Sequence, residues 1–402
     1  LLGLGQREAQ LWDGTHPRPP ILEAAEKLRI FSAKACSLRY VQMSMAMACD
    51  PIGRPIRGRG ANINPANRFE SLHYEAEDWC EPDTETRPLR TQFLVDDSRS
   101  IISYNNSPDI GFDASLNPYR GCEHGCAYCY ARPTHEYLGF SAGIDFESRI
   151  LVKPKAAELL AAELVRPSWK SQNLVLSGVT DAYQPIERKL QITRACLRVL
   201  AEFRNPVSVV TKNHLVTRDV DYLGELARVN ASAVCLSITT LDPKLARILE
   251  PRASSPSRRL EAIAALHLAG VPVGVNVAPI IPGINEHEIP SITAAAAEAG
   301  AQFASYTIIR LPLTVAPIFV AWVETHFPER KEKILGRIRS MRNGKLYNAE
   351  FGTRMRGDGP MAEEIHQMFL VSCHRAGLNK VRTELSTAAF RKILPNQMEL
   401  AL

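Results

Sequence analysis

No run of eighteen apolar residues occurs in the 402-residue sequence, so no segment reads as a membrane-spanning helix. The opening Leu1-Leu2-Gly3-Leu4-Gly5 is short and lacks the charged flank of a signal peptide. Methionine does not stand first, and Met43 and Met45 read as alternative starts. Nor is there a disulfide framework. The nine cysteines are an odd number, and Cys36, Cys49, Cys80, Cys196, Cys235 and Cys373 lie scattered. A strong charge of one sign is also missing, since a net +5 permits a polyanionic partner without arguing for one. A second ligand pair at zinc-finger spacing is absent.

What remains is ordinary for a soluble α/β protein: 45% apolar and 23% charged residues, enough for one large domain with extensions. Residues 1–100 read as an irregular N-terminal extension with one helix over Leu22–Ile30. After it, Pro51 to Gly60 is rich in Pro, Gly and Arg and lacks apolar periodicity, as a linker does. Arg54, Arg57 and Arg59 there suit a solvated arm or contacts to phosphates. The acidic stretch Glu75 to Glu85 reads as a surface loop. From residue 101 to 312, short β-rich runs alternate with helical ones: Asn173–Ser177, Ile186–Phe203, Val207–Thr211, Tyr222–Val229, Ala233–Ile238, Ser257–Leu268, Val271–Val277, Ile289–Ala299 and Phe303–Ile309. Such alternation predicts a parallel sheet with crossover helices, its strands apolar on both faces. Residues 313–402 turn helical, over Ala316–His326, Glu329–Met341 and Met361–Ala376.

The densest chemical signal is Gly121-Cys122-Glu123-His124-Gly125-Cys126-Ala127-Tyr128-Cys129-Tyr130. Three thiols spaced C-x3-C-x2-C on one short loop can wrap around an iron–sulfur cluster or zinc, both of which favour soft thiolates. Three cysteines on a cubane leave one iron open for chemistry. A zinc site completed by His124 and a cluster used only for electron transfer are the bland alternatives. Free thiolates fit a reduced, cytoplasmic setting.

This loop, with Tyr128 before the third cysteine, resembles that of the radical S-adenosylmethionine (radical SAM) superfamily. The likeness is nearer to bacterial proteins grouped with spore photoproduct lyase and labelled DNA repair photolyase-like, and it covers Phe112 to Leu378. It implies a partial (β/α)6 barrel with an irregular N-terminal extension and a C-terminal helical extension. It also implies a 4Fe–4S cluster on Cys122, Cys126 and Cys129 whose open iron chelates SAM. Reductive cleavage then yields a 5′-deoxyadenosyl radical that acts on a substrate. A reductant such as flavodoxin or ferredoxin is implied as partner.

In parallel barrels, functional groups gather where strands end. After the second strand, Gly178 permits close backbone approach, and Thr180-Asp181 resembles the group's Ser-Asp or Thr-Asp pair, which implies SAM contact. The plain alternative is that Asp181 caps a turn. Lys212, after the third strand, suits the SAM carboxylate as a point charge. Ser237 offers a hydroxyl for the ribose or carboxylate, and Asn276 matches the segment that packs on adenine. The resemblance puts Tyr128 near the adenine and Tyr130 on the substrate side. Glu250 and Arg252 read either as a forked carboxylate contact or as an exposed pair. His135-Glu136-Tyr137 and Asp145-Phe146-Glu147 resemble group-specific motifs without an assignable role, and no catalytic residue is named.

Spore photoproduct lyase returns hydrogen from a cysteine just before its Ser-Asp pair. Here that stretch reads Ser177-Gly178-Val179-Thr180, without cysteine. Cys196 and Cys235 read as buried core thiols. Two functions stand: a radical SAM enzyme acting on nucleic acid or another substrate, or a non-catalytic iron–sulfur or zinc module that binds nucleic acid through its arginines.

Overall fold

Six short strands supply the parallel sheet that the alternation predicts. The computed structural model describes residues 56–70, 89–381 and 383–393. The helix expected at 22–30, Arg54, the cysteines at 36, 49 and 80, and the acidic stretch at 75–85 lie outside these residues. The strands are β1 (Gln92–Val95), β2 (Ile102–Tyr104), β3 (Ala114–Leu116), β4 (Tyr119–Arg120) and β5 (Arg149–Val152). They continue with β6 (Leu174–Leu176), β7 (Val207–Thr211), β8 (Ser232–Ser237), β9 (Val273–Ile280) and β10 (Phe303–Ile308). The main sheet runs β10-β9-β8-β7-β6-β3-β2, parallel throughout except for β2, which joins antiparallel at the edge. A second sheet, β1-β5-β4, had no counterpart in the sequence pattern. Its strands are two to four residues long and half exposed, too short for a period to register.

The two faces of the main sheet differ, contrary to the expectation of strands apolar on both sides. Leu116, Leu176, Val209, Val234, Leu236, Val273 and Val275 are fully buried on one face. That face meets the helices, including Ile192–Phe203, Val220–Ala227, Pro256–Leu268 and Ile289–Glu298. Burying each such side chain contributes roughly 1.5–3 kcal/mol. The opposite face carries small and polar groups in register: Ser115 beside Val175, Val175 beside Ser208, Cys235 beside Gly274, Ser237 beside Asn276, and Asn276 beside Ser305. Cys235 therefore belongs to the inner face and is half-buried rather than core, whereas Cys196 is fully buried as expected. Gly274 admits the Phe303 ring there, because a Cβ at 274 would lie 2.2 Å from it.

The helix read continuously over Ile186–Phe203 breaks at Gln191, whose φ is 54°. Its second part restarts on the buried Glu187, whose carboxylate accepts the N–H groups of Thr193 (3.0 Å) and Arg194 (3.3 Å). Three C-terminal helices, Val315–His326, Lys331–Ser340 and Pro360–Ala376, follow the sequence reading. Between the last two, Met355 O accepts the Ile308 N–H, and Arg354 pairs with Asp109 at 2.6 Å. This clasp fastens the β10 edge to the segment that leads into β3. Among the described residues no helix is long and apolar enough to cross a membrane.

Candidate functional site

The cysteine loop follows β4 and is held by its backbone from every side. Cys122 N–H donates to Phe146 O at 2.9 Å. Gly121 O accepts from Thr180 Oγ1 (2.6 Å) and Gln184 Nε2 (3.3 Å). Glu123 N–H donates to Gln184 Oε1, and the Glu123 carboxylate takes the Ile186 N–H at 2.8 Å and Arg252 at 3.0 Å. Arg132, fully buried, donates to Cys126 O through Nε and Nη2 at 3.0 and 2.8 Å, and pairs with Glu147. Glu147 in turn accepts the N–H groups of Gly60 (3.0 Å) and Ala61 (2.8 Å). Much of the loop's polar backbone is thus satisfied by protein, as buried backbone requires. The thiols are what it leaves over.

Gly60 shows that this segment is a belt on the loop and not a linker. A Cβ at position 60 would sit 1.6 Å from Gly125 O. Gly60→Ala is therefore expected to destabilise the protein by about 1–3 kcal/mol through overpacking. Thermal unfolding checks this, and an unchanged melting temperature would mean that the belt does not seat there. Arg59 belongs to the same belt. Its guanidinium donates to the Glu147 carbonyl (2.6 Å), the Leu89 carbonyl (2.9 Å) and Thr91 Oγ1 (3.1 Å), so it is no free arm. Arg57 is exposed.

Cys122 and Cys126 are each 7% exposed, and Cys129 is half-buried. Burial pushes all three thiols above their ordinary pKa. Only a bound metal would make them thiolates at neutral pH. Their surroundings fit a cluster better than zinc completed by His124. Both ring nitrogens of His124 are engaged, Nδ1 with Asp181 at 3.3 Å and Nε2 with Asn213 Nδ2 at 3.1 Å. Among the described residues, no three His, Cys, Asp or Glu side chains converge as ligands of one ion. A single zinc needs all its sulfurs about 2.3 Å from one point, whereas a cubane takes one thiolate per iron.

Most of the remaining expected residues come together around this loop. Asp181 is buried, accepts from Thr211 Oγ1 (2.7 Å) and the Lys212 N–H (2.8 Å), and faces His124. Burial alone would raise its pKa, but His124 and these donors outweigh it and hold it below the usual carboxylate range. Asp181 and Thr180 are thereby spent on positioning the loop and the end of β7. Gly178 O accepts the Tyr130 hydroxyl at 2.6 Å, and Arg310 lies over the Tyr130 ring at 5.2 Å.

Tyr128 is buried, with its hydroxyl on Glu250 and Thr239, and Lys212 Nζ lies 5.9 Å from its ring centre. Glu250 is 2% exposed and pairs with Arg259 and with Lys212 at 3.5 Å, while Arg252 serves Glu123 instead. The exposed Glu250–Arg252 pair is thus corrected: neither residue partners the other. Two cations to one carboxylate leave a net positive charge, and Lys212, whose other contact is Ala278 O at 3.2 Å, is the more accessible cation. Ser237 and Asn276 are neighbours on the inner face of the sheet, with Asn276 Oδ1 accepting from Ser305 at 3.1 Å.

Sequence reasoning missed Arg132 and Arg259, whose residue type carries no signal at those spacings. The two motifs without a role acquire one. Glu147 links belt and loop through Arg132, and His135 Nε2 sits 2.8 Å from Arg149 O beneath Gly121. Burial pushes the His135 pKa down to about 4, so the ring is neutral.

The family model described as the radical SAM superfamily matches residues 116–295. An uncharacterized protein of Mycobacterium tuberculosis is 34% identical over 226 residues, 56% of this chain and 66% of that protein. An uncharacterized protein of Methanocaldococcus jannaschii is 29% identical over 173 residues, 43% of this chain and 62% of that protein. The chain thus spans just under two thirds of these relatives' length. Among solved structures, spore photoproduct lyase complexed with dinucleoside spore photoproduct superposes with a TM-score of 0.53. That match covers 71% of this chain and 80% of the lyase at 17% identity, a likeness of fold.

Proposed function

We propose that this chain, whose residues 116–295 match the radical SAM family model, is a radical SAM enzyme holding a 4Fe–4S cluster on Cys122, Cys126 and Cys129, with SAM beside it. The observation that carries this reading is the loop: three sheltered thiols on a backbone pinned by Arg132, Thr180 and Gln184. When bound, the two cofactors supply a hydrogen-abstracting radical through reductive cleavage of the SAM sulfonium.

The chain's own residues bind, orient and shelter. Arg132, Thr180, Gln184 and Glu123 fix the loop, and burial of Cys122 and Cys126 keeps water from the thiols. Lys212, steadied by Glu250, offers spare N–H donors to a carboxylate. Tyr128 gives an aromatic wall, and Ser237 and Asn276 present a hydroxyl and an amide from the inner face. Nucleic acid is the first substrate class to test, since the fold neighbour has been solved with a dinucleoside. The thiols require a reducing, cytoplasmic setting. Cys235 occupies the inner face, and Ser177-Gly178-Val179, the stretch before Thr180-Asp181, holds no cysteine.

The test is anaerobic. Protein reconstituted with iron and sulfide, reduced with dithionite and given SAM is expected to release 5′-deoxyadenosine, measured by chromatography. A fully loaded cluster that leaves SAM intact would sink the proposal.

A further inference from the structure

Outside the candidate site, a cleft of about 580 Å³ lies against the cysteine loop. Its wall carries Arg57, Arg59, Arg90, Lys189 and Arg252 against a single carboxylate, Glu123. That carboxylate is committed, to Arg252 and to the Ile186 N–H. Among the described residues Arg57, Arg90 and Lys189 have no ion-pair partner, and all three are exposed. Between these cations Leu89 and Phe93 stand 40% and 38% exposed. An apolar centre with a charged rim is the anatomy of a protein interface, and a basic rim selects and steers an acidic partner.

Position decides which acidic partner. The cleft touches the loop through Glu123, the residue after Cys122, and through Arg252, whose N–H donates to His124 O at 3.3 Å. Ser237, Asn276 and Ser305, by contrast, lie together on the inner face of the sheet. The chemistry proposed for the loop consumes one electron, which an external one-electron reductant supplies as it is itself oxidised. We propose that the cleft docks an acidic electron-carrier protein of the flavodoxin or ferredoxin kind against the back of the loop. This rests on the function proposed above.

The test uses the full chain and the triple variant Arg57→Glu, Arg90→Glu, Lys189→Glu. Fluorescence anisotropy of labelled oxidised flavodoxin, and separately of a ferredoxin, gives the affinity at low and moderate salt. 5′-Deoxyadenosine formed with dithionite reports the site itself. The variant is expected to bind the carrier at least about tenfold more weakly and with a shallower salt dependence, while dithionite-driven product is unchanged. Single Lys189→Glu is expected to give a smaller loss in the same direction, and it stands in if the triple variant misfolds. Equal carrier binding by variant and wild type, or no binding of either carrier by wild type, overturns the proposal. So does loss of affinity for a labelled DNA duplex with carrier binding intact, which makes the cleft a polynucleotide site. If dithionite yields no product from wild type yet carrier affinity still depends on these three side chains, the enzymatic reading fails and the docking surface stands.

Discussion

Cys126→Ala is expected to strip the protein of iron, from about four atoms per chain after reconstitution to a small residue, because two thiolates do not retain a cubane that normally takes three or four. Production of 5′-deoxyadenosine should fall to the level of a protein-free control. The fold should survive. Arg132 grips Cys126 through its carbonyl, Ala127 N–H donates to Leu249 O, and neither contact uses the thiol. A small cavity is left, at a cost of about 1–2 kcal/mol. Iron analysis and far-ultraviolet circular dichroism on one preparation separate the two effects. Undiminished iron with a folded chain would remove the basis for the cluster, and loss of both would mean that the thiol is a packing element.

Glu250→Gln should have the largest effect on stability. The carboxylate is buried among Arg259, Lys212, Tyr128 and Thr239, so its loss leaves two cations beneath the loop without a counter-charge. Breaking a buried pair in this way costs about 3–5 kcal/mol, a large share of a typical 5–15 kcal/mol total. Urea midpoints at constant slope measure it. Acid gives the second signature. Burial would raise the Glu250 pKa, but Arg259 first and then Lys212 overcome this and bring it down to about 2. A depressed folded-state pKa stabilises fully above the unfolded value near 4.5 and is lost as pH falls towards 2. The gap between wild type and variant should therefore be full at pH 7 and shrink between pH 4.5 and 2. A gap that is absent at pH 7, or that stays constant down to pH 3, contradicts this account.

How far the sequence reached follows from the range of each signal. Alternating apolar runs predicted five of the six parallel strands, since a buried strand marks itself within five residues. The cysteine spacing marked the loop because its three thiols are local. Of the polar inner face only Ser237 and Asn276 were read: Ser208 and Cys235 sit among valines, and only the register across neighbouring strands places them on the same face. Glu250 and Arg252 left two readings open in sequence, a forked carboxylate contact or an exposed pair, and in the fold Glu250 pairs with Arg259 while Arg252 takes Glu123. The same holds for Arg132 and Glu147, whose meaning depends on Gly60, 87 residues before Glu147. Chemistry carried by neighbours in sequence was legible. Support assembled from distant segments was not.

The belt at Gly60 and Ala61 separates two notions of a domain. Homology draws a border at residues 116–295, yet the carboxylate that braces the cysteine loop is itself braced from outside that border, at residues 60 and 61. Trp322, on a C-terminal helix, reaches Ile248 O at 3.0 Å, beside the Leu249 carbonyl that receives Ala127. What is inherited as a recognisable module is therefore smaller than what must fold for that module to hold its shape. In this chain the flanking segments are scaffolding that the matched module cannot do without.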